Sequence, residues 1–118
     1  MLTAHALVGL AVIAAAAVAA VWGSVGYRRR AAGRALPHVL SLVQTLLVAQ
    51  VGLGLLLLSD GRRAQDELHY VYGTLALAAV LAPWFYAPRD WRPRLLWFAV
   101  ATLLAGALAT RAYLTGRA

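Results

Sequence analysis

Four long apolar segments, separated by short arginine-rich connections, restrict the folds that are open to this chain. A helix needs about 20 apolar residues to cross roughly 30 Å of hydrocarbon, and the segments extend over about residues 4–27, 37–59, 68–86 and 95–115. Turn-forming and charged residues fill the three gaps. We therefore predict an all-α integral membrane protein whose residues 1–118 form one domain with four transmembrane helices.

The composition favours lipid as the solvent of this chain. Hydrophobic residues make up 63% of its 118 residues and charged residues only 13%, which is more apolar surface than a soluble domain of this size can bury. The formal charge is +7, but the arginines lie between apolar segments, as in membrane topology rather than in a nucleic-acid-binding surface. Because cysteine is absent, iron–sulfur clusters and covalently attached c-type haem are excluded.

Arginine placement predicts the orientation of the helices. The second connection balances its two arginines with three acidic residues, and no basic residue precedes the first segment, which is also long for a cleaved signal peptide. By the positive-inside rule, we place the first and third connections in the cytoplasm of a bacterium and both termini outside its inner membrane. Short connections make sequential helices antiparallel neighbours, so an up-down four-helix transmembrane bundle is expected. The arginines of the first and third connections are Arg28, Arg29, Arg30, Arg34, Arg89, Arg92 and Arg94.

A repeated phrase marks the first and third segments, "HALVG" at residues 5–9 and "HYVYG" at residues 69–73. Both segments start outside and run in the same direction on opposite corners of the predicted bundle. We therefore expect His5 and His69 to face each other at one depth across the interior. The second and fourth segments share "TLL" at residues 45–47 and 102–104, and Gly-Arg at residues 61–62 and 116–117. These matches predict a twofold repeat about the membrane normal.

Two imidazoles that face each other across a bundle suit a haem iron, which takes one axial ligand on each face of its porphyrin. Diagonal helix axes lie roughly 13 Å apart when neighbouring axes are about 8–10 Å apart, which leaves room for a metal between the rings. We predict one haem b per chain with His5 and His69 as the iron ligands. Gly9 and Gly73 lie one turn deeper on the same helix faces, where a missing side chain makes space for the flat macrocycle.

Three further residues complete the predicted haem site. Gln50 is expected to face the haem layer and to bond a ligand imidazole, although a hydrogen bond between helices also fits a glutamine at this depth. Arg62 and Arg111 are expected near the propionates, because an arginine within or beside a span needs an anionic partner. His38 starts the second segment at the cytoplasmic edge. We interpret it as an interfacial residue, the alternative being a second haem completed by a partner's ligand.

The alternative interpretation of the repeated histidine and glycine pattern is that it serves only the packing of helices. An interfacial histidine is often only tolerated, and small residues four apart commonly serve close contact between helices. The haem hypothesis is preferred because several features coincide at the two histidines. Both have the same predicted depth, lie on helices of the same direction at opposite corners of the bundle, and precede a glycine by four residues.

The run "QVGLGLLLL" followed by "LHYVYGTLALAAV" resembles the haem A synthase family. Each half of a protein of that family is a four-helix bundle, in which two histidines on helices of the same direction bind one haem. The resemblance implies that His5 and His69 are those ligands. The chain departs from the family in having half its length and in lacking, within "MLTA" before His5, the acidic residue used for oxidation chemistry. Asp66 and Glu67 precede His69. A b-type cytochrome is therefore expected rather than haem A synthesis.

Three functions remain open at this point. The first is electron transfer by a small membrane cytochrome b, within a larger respiratory or photosynthetic complex, beside other redox subunits or as a homo-oligomer. The second is an accessory subunit of a membrane complex without a cofactor, in which the glycine and alanine faces are contact surfaces. The third, a transporter or channel, ranks last because the apolar segments carry no acidic residue and no interruption of the kind that substrate paths usually show.

Overall fold

The computed structural model describes residues 2–31, 33–61 and 67–117, and within these ranges the chain is helical and contains no strand. The helices are α1 (Leu2–Arg29), α2 (Ala35–Ser59), α3 (Leu68–Leu81), α4 (Pro83–Tyr86) and α5 (Trp91–Arg117). α4 continues α3, and together they form the third apolar span, Leu68–Tyr86. Within the described residues, four helical spans are long and apolar enough to cross a membrane, which confirms the predicted number of spans.

The helix ends differ from the predicted segments mainly at α5, which begins at Trp91 rather than near residue 95. Pro93 does not delay the start, because backbone N–H groups in the first turn have no acceptor within the helix. α1 extends to Arg29 and is closed by Arg30 with φ +56° and by a bond of 3.0 Å from Ala31 N to Gly26 O. The sequence thus predicts interruptions at Arg28 and Pro93, whereas the helices continue through both residues.

The helices pack as an up-down bundle in which α5 lies along both α1 and α3, and α1 also lies along α2. Contact between α2 and α3 is less extensive. α1 and the α3–α4 span consequently occupy opposite corners, as predicted. We call the end of the bundle where α1 and α3 begin the histidine end. The opposite end, where α1 and α4 finish, we call the arginine end.

Some of the buried positions agree with an internal repeat in the bundle. In α1 and the third span they recur after 64 residues, the same interval that separates His5 from His69. In α2 and α5 they recur after 62 residues. The corresponding pairs are Val12 and Ala76, Ala16 and Val80, Ala19 and Pro83, Leu36 and Phe98, Leu40 and Thr102, and Val43 and Ala105.

This interval corrects the sequence alignment of the second and fourth segments. The "TLL" runs lie 57 residues apart (45 to 102) and the Gly-Arg pairs 55 apart (61 to 116), so neither matches the 62-residue repeat. Gly61 lies after the end of α2 with φ +81°, whereas Gly116 lies within α5. The two glycines are therefore not structurally equivalent, and the Gly-Arg match is wrong as a sign of the repeat.

The close contact between α1 and α5 depends on glycine, which gives a first prediction. A Cβ at Gly23 would lie 3.0 Å from the Cβ of Ala99. We expect Gly23→Ile to lower the free energy of unfolding by about 1–3 kcal/mol, because overpacking forces the helices apart. Thermal unfolding in detergent measures the effect. Ala17→Ile, on the exposed face of α1, is the matched control, and equal destabilisation by both variants would contradict this packing.

Candidate functional site

The two histidines of the repeated phrase meet in the bundle interior. The ring centroids of His5 and His69 are 5.9 Å apart, and the ring planes form an angle of 74°. Both side chains are partly buried. Because α1 and α3 occupy opposite corners, this contact bridges the diagonal of the bundle near the histidine end. The two rings thus approach each other in an edge-to-face arrangement, while their role as ligands remains a prediction.

His69 is fixed by a hydrogen bond to α5. Its Nδ1 lies 2.6 Å from the carbonyl oxygen of Ala112. Because a carbonyl oxygen can only accept a hydrogen bond, Nδ1 of His69 carries the hydrogen and is the donor of this bond. In the neutral imidazole the lone pair then belongs to Nε2, which is the atom that can bind a metal. The fold thus selects the tautomer of His69.

Gly116 leaves the space in which the ring of His69 lies against the backbone of α5. We call such a position of a histidine ring over a glycine its seat. A Cβ at this position would lie 2.6 Å from Nδ1 and 2.9 Å from Cε1 of His69, closer than carbon atoms approach without displacement. The imidazole therefore lies directly against the backbone of α5. Any larger residue at Gly116 requires the ring, and with it the hydrogen bond to Ala112, to move.

His5 has the equivalent seat on α2. A Cβ at Gly54 would lie 3.1 Å from Cε1 of His5, and the backbone of Gln50 interacts with the ring. The geometry falls short of a hydrogen bond, since Nδ1 of His5 is buried and has no hydrogen-bond partner among the described residues. In both seats a histidine lies over a glycine, beside the backbone of the residue four positions earlier on the neighbouring helix. Gln50 and Gly54 on α2 thus correspond to Ala112 and Gly116 on α5, again 62 residues apart.

A cavity of about 720 Å³ opens beside the two rings between α1, α2, α3 and α5. This volume lies within the range of about 300–1,000 Å³ found for small-molecule and cofactor sites. Gly73 lines it, and a Cβ there would meet no atom within 4 Å, so the position faces open space. Gly9 also lines the cavity, but its missing side chain accommodates Nε2 of Gln50, 3.0 Å from the Cβ position. Oε1 of Gln50 is buried and accepts no hydrogen bond from the part of the chain that the structure describes.

The remaining predicted residues lie away from this cavity or outside the described residues. Arg111 is exposed, does not line the cavity, and holds its guanidinium 5.5 Å from the ring centroid of Tyr72. Arg62 falls within the residues that the structure does not describe. His38 is exposed in the first turn of α2, at the arginine end. The predicted roles of the two arginines toward propionates stay predictions.

Sequence reasoning missed the two glycines that seat the rings and the carbonyl that orients His69. No sequence signal marks Gly54 and Gly116, because the 62-residue interval between them emerges only from the buried positions of α2 and α5. This interval was hidden by the chance matches of "TLL" and Gly-Arg. The carbonyl of Ala112 leaves no mark in the sequence, because every residue has one.

The donor set of the site is two imidazoles. Among residues 2–31, 33–61 and 67–117 there is no group of three or more His, Cys, Asp or Glu side chains that could hold a metal ion. Protein sites for a bare ion usually supply three or four ligands, whereas a porphyrin brings its own equatorial nitrogens. With metal–nitrogen bonds of about 2 Å, two axial imidazoles place their ring centroids roughly 6 Å apart. The observed centroid distance of 5.9 Å is close to that value, with the ring planes 74° apart.

Comparisons of the chain with models of known protein families, with curated proteins and with solved structures give no match. The resemblance to the haem A synthase family therefore stays a prediction.

Proposed function

We propose that this chain is a small multi-pass cytochrome b of a bacterial inner membrane, with both termini outside. One haem b lies in the cavity at the histidine end and is held by His5 and His69. The observation that carries the proposal is the spacing of 5.9 Å between the two rings beside a cavity of about 720 Å³. Their seats on α2 and α5 are built alike, which gives the two faces of one macrocycle equivalent ligands.

The ligand set favours electron transfer as the activity. His5 and His69 would hold a haem iron from its two sides and would leave no position for oxygen or substrate, so the group would supply one-electron chemistry. Nδ1–H of His69 donates a hydrogen bond to the carbonyl oxygen of Ala112, which fixes the orientation of the ring. This bond also makes Nε2 a more basic ligand for a metal. Gln50 lines the same cavity as His5, and its buried Oε1 is a further acceptor there.

In our proposal, the electron donor and the electron acceptor are proteins other than this chain or a second copy of it. The connections are short, and the described surface is largely the apolar flank of the four spans. A donor and an acceptor are therefore other redox subunits of a respiratory or photosynthetic complex, or a second copy of the chain. The resemblance to one half of a haem A synthase adds support through its paired histidines.

The absorption spectrum of the detergent-purified protein tests this function directly. We expect a Soret band in the oxidised protein and, after reduction with dithionite, sharp visible bands of a six-coordinate low-spin haem b at one haem per chain. Carbon monoxide should leave the reduced spectrum unchanged, because no axial position is open. A colourless protein that co-purifies with larger membrane subunits would overturn the proposal and favour an accessory subunit without a cofactor.

A further inference from the structure

A second, smaller pocket lies at the arginine end, away from both histidines. Its volume is about 260 Å³, and it lies between α2, α4 and the first turns of α5. Aromatic and aliphatic side chains form most of its wall. Ser41, Gln44 and Arg94 are the polar side chains that line it. The apolar wall includes Leu36, Leu40, Trp84, Trp91, Leu95 and Phe98.

Arg94 is the cation of this pocket and is held in a fixed position. Its guanidinium carbon lies 5.5 Å from the ring centroid of Trp84 and 5.2 Å from that of Phe98, so two aromatic faces stabilise it. Nη1 also lies 3.5 Å from the carbonyl oxygen of Pro88. No acidic side chain of the described residues lines the pocket. The positive charge is therefore pre-organised and retains N–H groups for an anion.

Two other polar groups of the pocket are paired with each other. Nε1 of Trp84 donates to Oε1 of Gln44 over 2.8 Å, which leaves Arg94 as the polar group with most unused capacity. An arginine fork matches the oxygens of a phosphate in two parallel hydrogen bonds. A ligand of this pocket thus combines a phosphate with a substantial apolar portion.

We propose that the pocket binds one anionic phospholipid, with its phosphate on Arg94 and an acyl chain along Leu36 and Leu40 of α2. Trp84 and Trp91 flank the pocket and are 56% and 51% exposed, so lipid can reach it from the side of the bundle. The arginine end is also where positive charge is concentrated, and clustered basic residues attract anionic lipid. The proposal is independent of haem binding, because the two cavities share no lining residue.

Lipid titration of the purified protein, followed by native mass spectrometry, tests this site. The probes are phosphatidylglycerol and phosphatidylcholine of identical acyl chains. We expect phosphatidylglycerol to bind about fivefold to tenfold more tightly, as one well-placed arginine supports. Arg94→Gln should abolish this preference, and Arg94→Lys should keep part of it because charge remains while the fork is lost. Arg89→Gln, in the exposed connection before α5, is the matched control and should keep the preference.

Each outcome of this experiment decides the proposal. Equal binding of the two lipids by the unaltered protein, or an unchanged preference in Arg94→Gln, would overturn it. Displacement of phosphatidylglycerol by equimolar inorganic phosphate would also overturn it, since it would show an anion site that does not use the apolar wall. If Arg94→Gln does not fold, Arg94→Lys is the deciding variant. Full loss of the preference for phosphatidylglycerol in Arg94→Lys, which retains the charge, would contradict an electrostatic contribution.

Discussion

Replacing either histidine of the central pair with alanine is expected to remove the low-spin spectrum of the protein. Each variant leaves the iron with one imidazole, so the haem becomes five-coordinate, binds carbon monoxide and is retained more weakly. Loss of a residue that only orients a ligand typically costs about 10–100-fold in affinity, and loss of the ligand itself should cost at least as much. His69→Ala should be the more severe variant, because His69 is held by the bond to Ala112 whereas Nδ1 of His5 has no partner.

A matched control and a rescue make this result specific. His38→Ala removes a histidine that is exposed at the opposite end of the bundle, and its spectrum should be unchanged. Imidazole added to His5→Ala should enter the space left by the side chain and restore the six-coordinate spectrum. Low-spin bands that persist in both His5→Ala and His69→Ala would contradict ligation by this pair.

Helix number and the meeting of the two histidines were predictable from the sequence because both depend on signals local to a segment. A run of about 20 apolar residues is visible in any window of that length. The direction of each span then follows, because every short connection reverses the direction of the chain. Since His5 and His69 each lie near the start of spans of the same direction, equal depth follows with no knowledge of how the helices pack.

The seats of the rings were not predictable in the same way, because they depend on how far each helix slides and rotates against its neighbour. Whether Gly52 or Gly54 contacts His5 depends on the rotation of α2 about its axis, which helix lengths do not determine. Arg111 illustrates the rotation. It precedes Ala112, which bonds His69, yet its own side chain lies outside over Tyr72.

A graded series of glycine substitutions is the second large prediction and tests the seats rather than the ligands. The Cβ of Gly116→Ala would lie 2.6 Å from Nδ1 of His69, that of Gly54→Ala would lie 3.1 Å from Cε1 of His5, and at Gly52 no atom lies within 4 Å. We expect haem affinity to fall about 10–100-fold for Gly116→Ala, less for Gly54→Ala, and not at all for Gly52→Ala.

The order follows from what each added methyl group displaces. At Gly116 the ring of His69 has to leave the backbone of α5, so its Nδ1 loses the carbonyl of Ala112 and Nε2 loses its orientation. At Gly54 a shift of a few tenths of an ångström of the His5 ring suffices. At Gly52 the side chain enters open space.

Helix propensity separates this order from a general loss of stability. Alanine stabilises a helix by up to about 1 kcal/mol relative to glycine, so Gly52→Ala should raise the midpoint of thermal unfolding slightly and leave the spectrum unchanged. Haem titration of the three variants, with the low-spin fraction as the readout, measures the series. If Gly116→Ala bound haem as tightly as Gly52→Ala, His69 could not be seated against α5 when it holds the iron. Ligation would then require a different packing of α3 on α5 from the one in which Nδ1 reaches Ala112.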